Sequence, residues 1–168
     1  MDNPTIVALE AFPDQLQSLY GVFPHEFKNW IPPSWDGVPS EPLTAIEQIC
    51  HVRDIEVDGY QVRFRRMLDE WRPDLPALDA EAMAQDRLYS QQDAAAVLDD
   101  FRAARAGTLS LIRTLSSAQL DRPGFFEGYG PVTLRSLVHY LSSHDQQHLS
   151  GLQWLLGKLS SRRMPNAA

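Results

Sequence analysis

The sequence predicts an all-α protein, an up-down four-helix bundle in a single domain. Three observations carry that expectation. Four long segments place apolar residues three and four apart, the spacing that lines one face of a helix. No stretch alternates apolar and polar residues well enough to read as a strand. The connections between the four segments are rich in proline and glycine and contain no repeat or low-complexity tract. At 168 residues the chain suits one domain over 1–168, with a core from about residue 10 to 160.

The first helix is expected from about Pro13 to Trp30, on Leu16, Leu19, Tyr20, Phe23, Phe27 and Trp30, with Pro24 breaking it near its last turn. Ile31 to Ser40 then reads as a proline-stiffened loop. A second helix should open at Glu41 or Pro42 with Ser40 as its N-cap and run to Trp71, where Pro73 and Pro76 forbid continuation. Its apolar stripe is Leu43, Ile46, Cys50, Val57, Phe64, Leu68 and Trp71. Residues 72–91 read as loop with a short turn at Ala80–Gln85. The third helix, Gln92 to Leu115, carries Val97, Phe101, Ala104, Leu111, Ile112 and Leu115. After the glycine- and aromatic-rich connection from Ser116 to Pro131, a fourth helix opens at Val132 or Thr133 and ends near Leu159. Arg162 to Ala168 should fray.

Composition excludes more than it identifies. A net charge of -7 argues against nucleic acid or an anionic membrane as partner, since both attract basic patches. No apolar run is long enough to span a bilayer, and the first ten residues lack the basic start and apolar centre of a signal peptide. One cysteine, Cys50, precludes an internal disulfide, so a cytoplasmic location is expected.

The chemistry lies in the fourth helix. His144 and His148, four apart, interrupt a seam of Leu134, Leu137, Val138, Leu141, Leu152, Leu155 and Leu159. They take positions the pattern reserves for the core, where a neutral imidazole needs partners for both nitrogens. One divalent metal would serve both rings, and their spacing suits it. His51, on the flank of the second helix beside Glu47, Asp54 and Asp58, is the candidate third ligand if those two helices are neighbours. Asp54 and Asp145 are candidates to take the far ring N–H of a ligating histidine. Glu47, Asp54 and Asp58 are candidates to carry a proton. Tyr140, one turn before His144, could present its hydroxyl to the same cavity. The plainer readings are core histidines bonded to carbonyls for His144 and His148, a surface histidine for His51, structural roles for His139 and Cys50, and a solvated cap for His25. A di-iron carboxylate bundle is excluded, because no Glu-x-x-His occurs. Nor is there a nucleophile-elbow, Walker or Cys-x-x-Cys motif.

His51 with Glu56 five residues on, and His144-Asp145-x-x-His148 on the last helix, resemble the DinB-like superfamily of metal-binding four-helix bundles. The order matches too: a tryptophan-containing loop, one histidine on the second helix, a pair on the fourth. The resemblance covers about residues 10 to 160. It implies a divalent metal, zinc or nickel, on His51, His144 and His148; three imidazoles also suit iron. Relatives include transferases and isomerases that use bacillithiol, mycothiol or glutathione, and many members of no known activity. This chain has Gly151 where the family often has glutamine, a substitution expected to make room beside the metal. The resulting expectation is a metal-dependent enzyme of thiol S-transferase or hydrolase type, its metal activating a thiol or water toward a small-molecule substrate. The alternatives are a non-catalytic metal-binding or stress-response bundle with a structural metal, and a metal-free interaction module. Bundles of this kind pair side by side, so a homodimer is a further expectation.

Overall fold

The computed structural model describes residues 3–162; the tail expected to fray lies, from residue 163 on, outside the described residues. Helix α1 spans Asn3–Gly21, ten residues earlier than the spacing predicts, and buries Leu9, Phe12, Leu16 and Tyr20 along one stripe. Pro13 therefore lies inside the helix rather than at its start. Proline has no N–H for the carbonyl four residues back, so Leu9 O is left without its helical donor. Arg105 Nη1 supplies one at 3.1 Å. Helix α1 stops short of Pro24, and only a single 3₁₀ turn, His25–Phe27, follows.

The second rod begins with α2, Ala45–Asp54, later than expected. Its cap is Thr44 rather than Ser40: the Thr44 N–H and hydroxyl both donate to Glu47 Oε2 at 2.8 Å. A π-helical turn, Ile55–Tyr60, joins it to α3, Gln61–Asp69. The wider π turn slips the phase of everything after it. That slip corrects the predicted stripe: Val57 comes out 38% exposed, while Ile55, Tyr60 and Met67 are buried; Trp71, 76% exposed, lies beyond the helix, which ends at Asp69. The expected turn near residue 80 is α4, Ala80–Asp86, followed by a 3₁₀ turn at Tyr89–Gln91. Helix α5, Ala94–Thr114, is capped by Asp93, and the short α6, Ser117–Leu120, by Ser116. Helix α7, Leu134–Ser161, closes the chain with Thr133 as its cap.

Three short strands correct the expectation of none. β1 (Asp74–Leu75) lies parallel to β2 (Pro123–Phe126), which forms a hairpin with β3 (Gly130–Thr133). Two to four residues are too few to show an alternation. The hairpin turn needs left-handed backbone at Gly128 (φ +82) and Gly130 (φ +82), where glycine carries no Cβ penalty.

The first two rods in the chain are not neighbours in the bundle. Helix α1 packs on α5 and α7, and α2 packs on the same two, so the first and second rods face each other across the diagonal. The long 22–44 connection makes that crossing, pinned by Trp35 stacked on Trp154 of α7 at 5.9 Å. The apolar core is split in two. One half gathers Phe12, Leu16, Ile49, Cys50, Phe101 and Leu152; the other gathers Leu9, Tyr60, Phe64, Leu109, Leu137 and Leu141. Between them runs a buried polar layer. Arg105, 1% exposed, makes paired bonds to Glu56 (3.2 and 3.0 Å) and to Asp145 (2.7 and 3.0 Å), besides its bond to Leu9 O. Phe12 and Phe101 cover its faces. Truncating one partner of such a group leaves the other charges buried and uncompensated. Arg105→Ala should lower the unfolding free energy by about 3–5 kcal/mol in urea titrations; a loss below about 1 kcal/mol would show that the layer does not brace the bundle.

Candidate metal centre

His51, His144 and His148 meet beside this layer, where α2 runs against α7. His144 Nε2 lies 3.3 Å from His51 Nε2 and 3.0 Å from His148 Nε2. Nitrogens held about 2.0–2.1 Å from one ion would stand about 2.8–3.4 Å apart, between the right angle and the tetrahedral angle; these two separations fall in that range, and the three donor atoms all lie within 4.8 Å of one another. Hydrogen bonding alone serves the cluster poorly, as the surrounding groups show.

Gln48 sets the tautomer of His148. Its amide nitrogen faces Ser40 Oγ (2.8 Å) and Leu43 O (3.3 Å), and the carbonyl can only accept. Gln48 Oε1 therefore turns to His148 Nδ1, which must be the donor. His148 Nε2 is then a bare lone pair aimed into the cluster. One N–H on His144 Nε2 would have to serve both neighbours, whereas one cation accepts all three lone pairs. His51 Nδ1 is the buried side-chain polar atom without a partner among the described residues, a cost of about 1–3 kcal/mol that a bond at Nε2 would offset. Burial pushes His144 and His148 well below the usual imidazole range, and the neighbouring rings add to that. Burial lowers His51 as well, against the opposing pull of Glu41 and Asp54. All three are held in the neutral form a metal requires.

The carboxylates named from sequence are engaged elsewhere. Asp54 takes Arg53 at 2.7 Å, Tyr89 Oη at 2.7 Å and Arg87 at 2.8 Å, so it does not hold the His51 ring. Asp145 points to Arg105, away from the imidazoles on either side of it, and burial pushes it up to about 7 against that pull. Glu47 is the helix cap, and Asp58 pairs with Arg87. Tyr140 packs on the Tyr129 ring at 4.6 Å; Tyr60 and Tyr129 line the cavity instead. Cys50 is a buried thiol pushed up to about 12 by burial, and His139 Nδ1 meets Thr5 Oγ1. Gly151 does make room: a Cβ there would strike Ser40 Oγ and come within 2.9 Å of Gln48 Nε2, the pair that holds His148.

Reasoning from sequence missed Glu41. Its carboxylate lies 3.4 Å from His148 Nε2 and 3.9 Å from His51 Nε2. A loop residue has no periodicity to betray it. Arg105, four residues after Phe101, was legible as a polar residue at an apolar-stripe position; Gln48 falls off the expected stripe and carried no such signal. His51 and His144 line a cavity of about 160 Å³ with Glu41, Tyr60, Arg63, Phe126, Glu127 and Tyr129, while His148 is fully buried. Glu41 and Leu78 also border a groove of about 750 Å³.

A family model described as the DinB superfamily matches residues 8–151. The chain belongs to the DinB superfamily. Among solved structures, YfiT from Bacillus subtilis, described as a probable metal-dependent hydrolase with an unusual four-helix bundle topology, superimposes with a TM-score of 0.82. That match covers 95% of this chain and 90% of YfiT at 20% identity. No curated protein matches the sequence. The DinB bundle here thus presents its histidines on the second and last rods, facing a cavity.

Two measurements follow from this geometry. Gln48→Leu should weaken metal binding about 10–100-fold by releasing the His148 ring; unchanged affinity would exclude that orienting role. In the metal-free protein, each of the three rings holds its native pKa below the unfolded value of about 6.5, so native stability falls as pH drops through that value. Asp145, raised in the fold, works the other way, but three rings outweigh one carboxyl. The urea midpoint should be lower at pH 5.5 than at 7.5, and an unchanged or higher midpoint at 5.5 would contradict neutral buried rings.

Proposed function

We propose that this DinB protein is a metal-dependent hydrolase of a small neutral or cationic molecule. The observation that carries the reading is the cluster of three imidazoles, two of which, His51 and His144, line a cavity with Glu41 beside them. A structural metal site is closed by its ligands, whereas this cluster borders a pocket that shares Glu41 and Leu78 with a larger groove. His51, His144 and His148 would hold a divalent ion, whose Lewis acidity would lower the pKa of water towards neutrality.

The chain's own groups do the rest. Asp54 and Asp58 are tied to arginines, so Glu41 is the carboxylate in place to accept the proton of the attacking water. Arg63 is held between the faces of Phe126 and Tyr60, its Nη2 donating to Pro76 O at 3.0 Å. It fixes a positive charge in the pocket wall where negative charge would develop on the substrate. Burial pushes the Tyr60 phenol up, keeping it a hydrogen-bond donor.

Water is favoured over a low-molecular-weight thiol by the charge of the groove. Glu41, Glu47, Asp79 and Glu81 line it beside Trp35, and no lysine or arginine does. Glutathione and bacillithiol carry carboxylates that such a wall repels. Small esters, amides and amidines should turn over with the metal-loaded enzyme, without added thiol. Chelation should abolish the reaction, zinc or nickel should restore it, and Glu41→Gln should lower kcat about 10²–10⁴-fold. Turnover that appears only with an added thiol would replace hydrolysis with thiol transfer.

A further inference from the structure

We propose that Glu41 is also a metal ligand, so that the centre is a three-histidine, one-carboxylate site. The proposal rests on the metal-binding reading above and concerns what completes the coordination. The Glu41 oxygens lie 3.4 and 3.9 Å from the Nε2 atoms of His148 and His51. The imidazole nitrogens themselves are 3.0 and 3.3 Å apart. The carboxylate therefore lies beside two of the three donors, on the His148 and His51 side of the cluster.

Its charge has no other partner. Among the described residues the ion-pair contacts of Glu41 are those two imidazoles, and no lysine or arginine joins it. The other nearby acids are committed to a helix cap, to arginines or, in the case of Glu127, to the Ala77 N–H.

The loop is built to hold Glu41 in position. Its carbonyl accepts from Leu43 N at 2.7 Å, from Ser40 Oγ at 3.2 Å and from Gln48 Nε2 at 3.5 Å. Pro42 restricts the Glu41 backbone to extended conformations. The amide of Gln48 that touches this loop also orients His148, so one side chain places two of the donors. Gly151 leaves the gap into which Ser40 and Gln48 fit. With four protein donors a tetrahedral ion has no open position, so water or substrate enters as a fifth or sixth ligand. A carboxylate bound through one oxygen keeps the second for the proton.

Metal affinity and the visible spectrum of the Co²⁺-loaded protein test this without reference to turnover. Glu41→Ala is compared with Glu47→Gln, which removes a groove charge and keeps the helix cap. Absorption by Co²⁺ strengthens as its coordination number falls towards four. A ligand role predicts that Glu41→Ala loses at least about tenfold in Zn²⁺ and Co²⁺ affinity and gains visible absorption, with Glu47→Gln unchanged in both. Equal affinity and an identical spectrum in Glu41→Ala would overturn the ligand role and leave the metal site standing. Equal weakening in both variants would overturn it too, in favour of a general field of negative charge. Failure of the wild-type protein to bind Co²⁺ at all would instead remove the metal reading on which it rests.

Discussion

The Arg105 guanidinium is the point on which the four rods agree. It bonds to Leu9 on the first, Glu56 on the second and Asp145 on the fourth, while itself belonging to the third. An ion buried this deeply is tolerated only when its donors are matched, and here each partner is itself a backbone or side-chain anomaly. Pro13 frees the Leu9 carbonyl. The π turn at Ile55–Tyr60 carries Glu56 inward. Asp145 sits in the middle of an otherwise apolar seam. Each irregularity, taken alone, is a defect in a helix; together they form one closed network.

That network fixes the rotation of α7, and with it the metal centre. With Asp145 directed at Arg105, its neighbours His144 and His148 face α2 and meet His51. The layer sets two carboxyl groups, Glu56 and Asp145, around one guanidinium. Gln48 then fixes the His148 tautomer, and Gly151 admits the loop that brings Ser40 and Glu41 to the same place. Stability and site are thus one construction.

Much of this was legible in the chain. The four rods follow from 3.6-residue periodicity, and the metal-facing histidines stand out because they occupy core positions in a leucine seam. What failed to show had physical reasons. Pro13 looks like a helix start because the arginine that tolerates it inside a helix is ninety residues away. A π turn leaves no mark in a hydrophobic pattern except a slip of phase, so Val57 was assigned to a face it does not occupy, and Trp71 was assigned to a helix that ends two residues before it. The strands are too short to alternate. Proximity in sequence suggested Asp54 and Asp145 as partners for the histidines, yet both answer stronger cations. Glu41 reaches the site through loop geometry that spacing does not encode.

The central claim is that the buried polar layer exists to hold one divalent ion on three imidazoles. Metal content of the purified protein by plasma mass spectrometry, alongside His148→Ala, tests it most directly. One equivalent of zinc, nickel or iron in the wild type, lost in the variant, is the expected result. A folded wild-type protein that takes up none of these metals, even after incubation with zinc and nickel, would contradict the account and make the histidine cluster a feature of packing alone.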